Sequence, residues 1–346
     1  MMIYDIYKDI LSENARWNCT PKEDIDHDIS KLFSLPESYN FMMSLLFWDS
    51  SFHELGIKLY HKLKKIPEER LSHTVSLYLL GIAVCEKIGY DVLNLPKYDK
   101  NPKKSFLHHW LGVCLFHDYG YYIENNKKDY PVSEFKTIDD VINKLKITYD
   151  LRDTLTESDK ALIEKYYSYR INERHKKIDH GIISALTMYD VLMLRNEKMT
   201  KIAETAIMFY DNKPYGKEFI ENAIKYSCEI VKHNMWFAYK DTVDKYKDYE
   251  LYDLIPKSDG SHRYKISETP GLFLLSLLDT FEPTKRYGIE SLKKISINVL
   301  CKNGKTIISI SSKYNDLYEK IKDCENWLEL VVNKKDDESF EIVIQF

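Results

Sequence analysis

Up to about residue 287 the apolar positions recur with helical spacing, and beyond Gly288 they fall into short β-branched runs. "EERLSHTVSLYLLGIAVCEKIG" predicts a helix with a C-cap at Gly89. "NPKKSFLHHWLGVCLFHD" predicts another, opening at Asn101-Pro102 and stopping by Gly120. "DHGIISALTMYDVLMLR" predicts a third with Asp179 as its N-cap, and "GKEFIENAIKYSCEIVKHNMW" a fourth ending near His233. "SETPGLFLLSLLDTFEPTKR" opens at Pro270 and holds the most apolar helix of the chain. Between them, residues 125–160 are polar and predict a surface loop containing a helix.

The first 68 residues predict short helices broken at Pro21 and Pro36, with "FMMSLLFW" as core. In the C-terminal part, "ISINVL", "TIISIS" and "SFEIVIQF" predict strands, and "KNGK" predicts the hairpin joining the first two. "NDLYEKIKDCENWLEL" predicts a helix. The expected fold class is mainly α, with an N-terminal helical segment (1–68), a helical body (69–287) and a small α+β module (288–346).

Composition narrows the function classes. A net charge of -4 gives no basic footprint for duplex nucleic acid, though a local pocket can still bind a small phosphorylated compound. The six cysteines are scattered without a CxxC, which points to a reducing compartment and away from a thiolate zinc site. "MMIYDIYKDI" lacks signal-peptide character, and no apolar run approaches the ~18 residues of a membrane span. The expectation is a cytoplasmic protein with no membrane partner.

The candidate chemistry lies on the core-facing stripes. His73 is in line with Leu77 and Leu80, and His117 follows Phe106, Trp110, Val113 and Cys114. Asp118 continues the Leu107, Leu111 and Cys114 stripe. His180 shares a face with Ile183, Ser184 and Thr187, and His233 with Ala223, Tyr226 and Ile230. Asp279 closes "GLFLLSLLD", where an ionised carboxylate costs several kcal/mol unless a cation or donors meet it. A shared metal centre satisfies all six side chains at once. By contrast His27-Asp28 in "DIDHDIS" sits in a charged setting and is read as surface. His108 and His109 lie more than two turns before His117, His175 falls at the rim or surface, and His53, His61 and His262 have no supporting context.

The order His73, His117-Asp118, His180, His233, Asp279 resembles the H…HD…H…H…D signature of the HD superfamily of metal-dependent phosphohydrolases. The likeness covers about 70–287 and omits the C-terminal module. It implies an HD-domain helical bundle in which His73, His117, Asp118 and Asp279 hold one metal. Asp118 then bridges to a second metal on His180 and His233, which makes Asp118, His180 and His233 the implied catalytic set. Imidazole with carboxylate suits two divalent transition-metal ions drawn from Fe, Mn, Co, Ni and Zn. Such a pair acidifies a water and clamps the oxygens of a phosphate ester, so the implied activity is that of a phosphodiesterase or phosphomonoesterase.

Where many members carry a lysine shortly after the HD pair, this chain has Tyr121, and no GYP motif follows His180. Candidate substrate contacts are therefore Lys285, Arg286, Arg70 and Tyr121, and the expected substrate is a small phosphorylated compound, nucleotides included. The same ligand set occurs in mixed-valent di-iron oxygenases of the inositol-oxygenase type, which is the alternative. A further alternative is a metal-binding regulatory protein in which the metal centre is a structural relic and the C-terminal module either forms an oligomer or senses a ligand.

Overall fold

The computed structural model describes residues 1–13, 29–33, 38, 41, 68–93, 101–173, 177–205, 217–236, 243–257 and 259–346. In chain order its helices are α1 (Ile3–Glu13), α2 (Glu68–Ile88), α3 (Pro102–His117), α4 (Tyr121–Glu124), α5 (Ile138–Leu145), α6 (Glu157–Asn172), α7 (His180–Thr205), α8 (Lys217–Trp236) and α9 (Val243–Asp248). They continue with α10 (Pro270–Phe281) and α11 (Thr284–Tyr287), and α12 (Asn315–Lys322) interrupts the strands β1 (Ile295–Lys302), β2 (Lys305–Ser312), β3 (Leu330–Lys334) and β4 (Ser339–Gln345). The fold is thus mainly helical with a small C-terminal antiparallel sheet.

The described residues pack into two compact units. The first takes those of Met1–Leu45, Pro67–Cys114 and Pro256–Phe346, and the second those of Leu115–Ile255; α3 begins in one and ends in the other. In the first unit α1 buries Ile3, Tyr7, Ile10 and Leu11, the i, i+4, i+7, i+8 stripe of an amphipathic helix. Its Tyr7 hydroxyl donates to Ser76 O (2.9 Å), fixing α1 on α2.

Over Arg70–Ile88, α2 is long and apolar enough to cross a membrane by length and composition, contrary to the expectation that no run is. The difference comes from scattered Ser, Thr and Gly that raise its length without adding charge. Of that stretch 89% is buried inside the protein, where α1, α10, α11 and β1 pack on it. Among the other core elements, α10 is buried at every residue. It starts at Pro270, which lacks the N–H that a first helical position does not need.

The sheet runs β1-β2-β4-β3, antiparallel throughout. The β1–β2 turn has Asn303 and Gly304 both at positive φ (53° and 70°), the two-residue turn that Asn-Gly favours. One expectation here is corrected. Helix α12 stops at Lys322, and after a short 3-10 turn Leu330–Lys334 forms a fourth strand. Buried Leu330 and Val332 flank exposed Val331, a period-two pattern that begins inside the run read as helix.

In the second unit the stretch 125–160 is more ordered than a loop. A capping box (Thr137 with Asp140) opens α5, Phe135, Ile138, Val141 and Leu151 are buried, and Thr156 caps α6. Asp179 Oδ1 accepts from Ile182 N–H (2.9 Å), the N-cap of α7. The start of α7 lies against the end of α8, so the two run antiparallel. The run "FMMSLLFW" lies almost wholly outside the described residues, as do His27, His53, His61 and His175.

Candidate metal centre

In the first unit His73 stands one turn into α2, fully buried. Its Nε2 is 2.7 Å from Asp279 Oδ1 and its Nδ1 is 2.7 Å from Glu282 Oε2. Burial by itself pushes the imidazole pKa down, and the Lys285 ammonium adds to that. Hydrogen bonds and charge from Asp279 and Glu282 outweigh both, so the value sits above the ordinary one. For Glu282, burial acts to raise the carboxyl pKa, but His73, Ser76 and the Thr284 N–H pull it below its usual range.

Glu282 also organises the chain after α10. Its Oε1 accepts from Thr284 N–H (2.8 Å) and its Oε2 from Lys285 N–H (3.2 Å). The turn that follows brings Lys285 Nζ back to Asp279 Oδ1 (3.1 Å), whereas Arg286 Nη1 donates to Thr280 O (2.6 Å).

In the second unit His117 closes α3 and Asp118 follows it, both buried. Asp118 Oδ2 is 3.6 Å from His117 Nε2, and the His117 and His233 rings meet edge-on with centroids 6.3 Å apart. Two glycines allow this approach. A Cβ on Gly120 would overlap the His180 carbonyl, and its N–H donates to Ser184 Oγ (2.8 Å), which joins the turn after α3 to α7. A Cβ on Gly181 would overlap the Asn234 side chain, so the neighbours of His180 and His233 touch.

His180 Nδ1 lies 2.5 Å from Glu124 Oε2, and Tyr121 stacks on the His180 ring at 3.8 Å. Burial acts to raise the Glu124 pKa, but His180, Arg170 and Lys177 bring it down to about 2. Arg170 Nε in turn meets Asp179 Oδ2 at 2.8 Å, which holds the α7 N-terminus in the same network.

His73 and His180 share one device. A buried carboxylate occupies Nδ1, which favours the tautomer whose Nε2 carries the lone pair for a metal. Neither Glu282 nor Glu124 is in the sequence-predicted site. The burial argument that singles out Asp279 applies equally to both, since Glu282 follows Asp279 by three positions and Glu124 ends a buried Tyr-rich turn.

Of the six predicted ligands, His73, His117 and Asp279 form a buried group whose ligand atoms all lie within 4.8 Å of one another, and this group can hold a metal ion. Asp118, His180 and His233 fall outside it. Among the predicted substrate contacts, Lys285 reaches the Asp279 carboxylate, Tyr121 covers His180, and Arg286 is committed to a helix carbonyl. Arg70 is half-buried, three residues before His73. His109 is buried within α3, and His262 is tied to Lys257 N and Asn326 O.

The donor set fits a transition metal, because imidazole and carboxylate converge away from water and His73 has its second nitrogen already engaged by Glu282. No family model, curated protein or solved structure matches this chain.

Proposed function

We propose that this chain is a metal-dependent phosphohydrolase of the HD type, cleaving a phosphate ester of a nucleotide or another small phosphorylated compound. The observation that carries the reading is the buried His73–His117–Asp279 group, backed by Glu282 on the far side of His73. In the proposal these three residues, with Asp118, would hold one divalent ion, and His180 and His233 beside Asp118 would hold a second. Ions bound there supply Lewis acidity, polarising a phosphoryl oxygen and acidifying water.

The chain's own residues do the rest. Glu282 and Glu124 orient His73 and His180 and fix their tautomers. Lys285, at the edge of the Asp279 carboxylate, provides the positive charge that the missing lysine after the HD pair leaves out. Tyr121, flat against His180, limits water on that side and gives an aromatic wall to a substrate.

The test is hydrolysis of generic phosphodiester, phosphomonoester and nucleotide substrates by chelated protein resupplied with Mn, Fe, Co, Ni or Zn. Activity that returns with metal in the wild type and stays absent in His117→Ala supports the reading. Activity indifferent to chelation, or turnover only with O₂ and iron, overturns it.

A further inference from the structure

We propose that the outer face of the C-terminal sheet is the interface of a two-fold dimer formed with a second copy of this chain. The inner face is conventional core, with Ile295, Ile297, Ile308, Ile310, Ile342 and Ile344 buried. On the opposite face the register places Leu300 beside Ile307, Ile307 beside Val343, and Val343 beside Val331. That is an uninterrupted apolar row across all four strands. Its ends are open to solvent, Leu300 at 53% and Val331 at 52% exposure, among the largest exposures of big apolar side chains described. Single exposed apolar residues are ordinary, but a contiguous row spanning a sheet marks a contact surface.

The polar rows on either side identify the occupant. One row holds Asn298, Ser309, Glu341 and Asn333, with Glu341 already paired to Lys335 (2.7 Å). The other has Lys302 and Lys305 at the β1–β2 side and Gln345 on β4, and Glu329 just before β3 at the far side. Neither Lys302 nor Glu329 makes an ion pair among the described residues.

Now turn a second copy about a two-fold axis parallel to the strands, between β2 and β4. Leu300 then faces the partner's Val331, Ile307 the partner's Val343, and Lys302 the partner's Glu329. Lys305 faces the partner's Gln345. The patch is complementary to itself in shape and in charge, the requirement of an isologous contact.

Its size sets the strength. Four strands about 4.8 Å apart and three outer rows about 6.8 Å apart give a footprint of roughly 400 Å² per copy. A standard interface takes about 800 Å² per partner, so the expected dimer is reversible and concentration-dependent.

Sedimentation of the full chain across a roughly hundred-fold concentration range tests this. The average mass is expected to climb from 41.1 kDa toward twice that value. Val331→Glu and Leu300→Glu, both at exposed positions, should each hold the protein at monomer mass with unchanged circular dichroism. Lys302→Glu and Glu329→Lys should each weaken association several-fold, up to roughly tenfold, and the double swap should restore it. A monomer at every concentration, dimers indifferent to Val331→Glu, or a double swap weaker than either single would each overturn the proposal.

Discussion

Replacing Glu282 with Gln keeps the shape of the side chain and removes its charge, and the structure allows no comfortable arrangement for the amide. Glu282 is fully buried and accepts on both oxygens, Oε1 from Thr284 N–H and Oε2 from His73 Nδ1 and Lys285 N–H. If the Gln oxygen faces Thr284, its NH₂ faces His73, whose proton must then move to Nε2, the nitrogen needed for a metal. If the oxygen faces His73, the NH₂ opposes the Thr284 N–H and the turn to Lys285 is left with an unpaired buried donor. Loss of a buried, charge-assisted hydrogen bond costs roughly 1.5–3 kcal/mol. Loss of a carboxylate behind a ligating histidine lowers metal affinity about 10–100-fold, or about 1.4–2.7 kcal/mol. Chelator competition with Mn²⁺ or Zn²⁺ on wild type and Glu282→Gln measures the second effect, and denaturant unfolding measures the first. A folded Glu282→Gln protein that binds metal within about two-fold of wild type would refute the assigned role.

Three further outcomes follow from the same geometry. Lys285→Gln removes a cation 3.1 Å from Asp279 Oδ1, so metal affinity should rise by roughly tenfold while phosphate-ester turnover falls; the factor lies between the ~1 and ~4 kcal/mol expected at such distances in water and at a protein surface. Gly120→Ala forces a Cβ onto the His180 carbonyl and should cost about 1–3 kcal/mol in denaturant unfolding of chelated protein, with no comparable loss for an alanine at exposed Lys127. In the ion-free protein the raised His73 pKa contributes stability that is present below about 6.5 and fades as pH rises through the folded value. Metal binding displaces the same proton, so affinity should climb with pH by up to about tenfold per unit below that value, and calorimetry in buffers of different ionisation heat should show proton release.

Local signals carried most of the helical architecture. Pro102, Asp179 and Pro270 mark helix starts because each supplies or dispenses with a backbone partner at a first turn, and the structure uses all three. Strand β3 was hidden because its first buried residue, Leu330, closes the run Trp327, Leu328, Leu330, a short apolar stretch that period two and period 3.6 fit equally well. Asp279 was legible because an apolar helix leaves a lone carboxylate conspicuous. Glu282 and Glu124 were not, since a carboxylate that backs a histidine has no fixed spacing from it: Glu282 lies 209 positions from His73, and Glu124 lies 56 from His180. The closeness of His73, His117 and Asp279 is a property of three separate helices and is written in no single segment.

The most direct measurement is the metal content of chelated wild-type protein after dialysis against Mn, Fe, Co, Ni or Zn, alongside His117→Ala. The account predicts at least one ion retained per wild-type chain and its loss in the variant. A wild-type chain that takes up none of the five ions would contradict it.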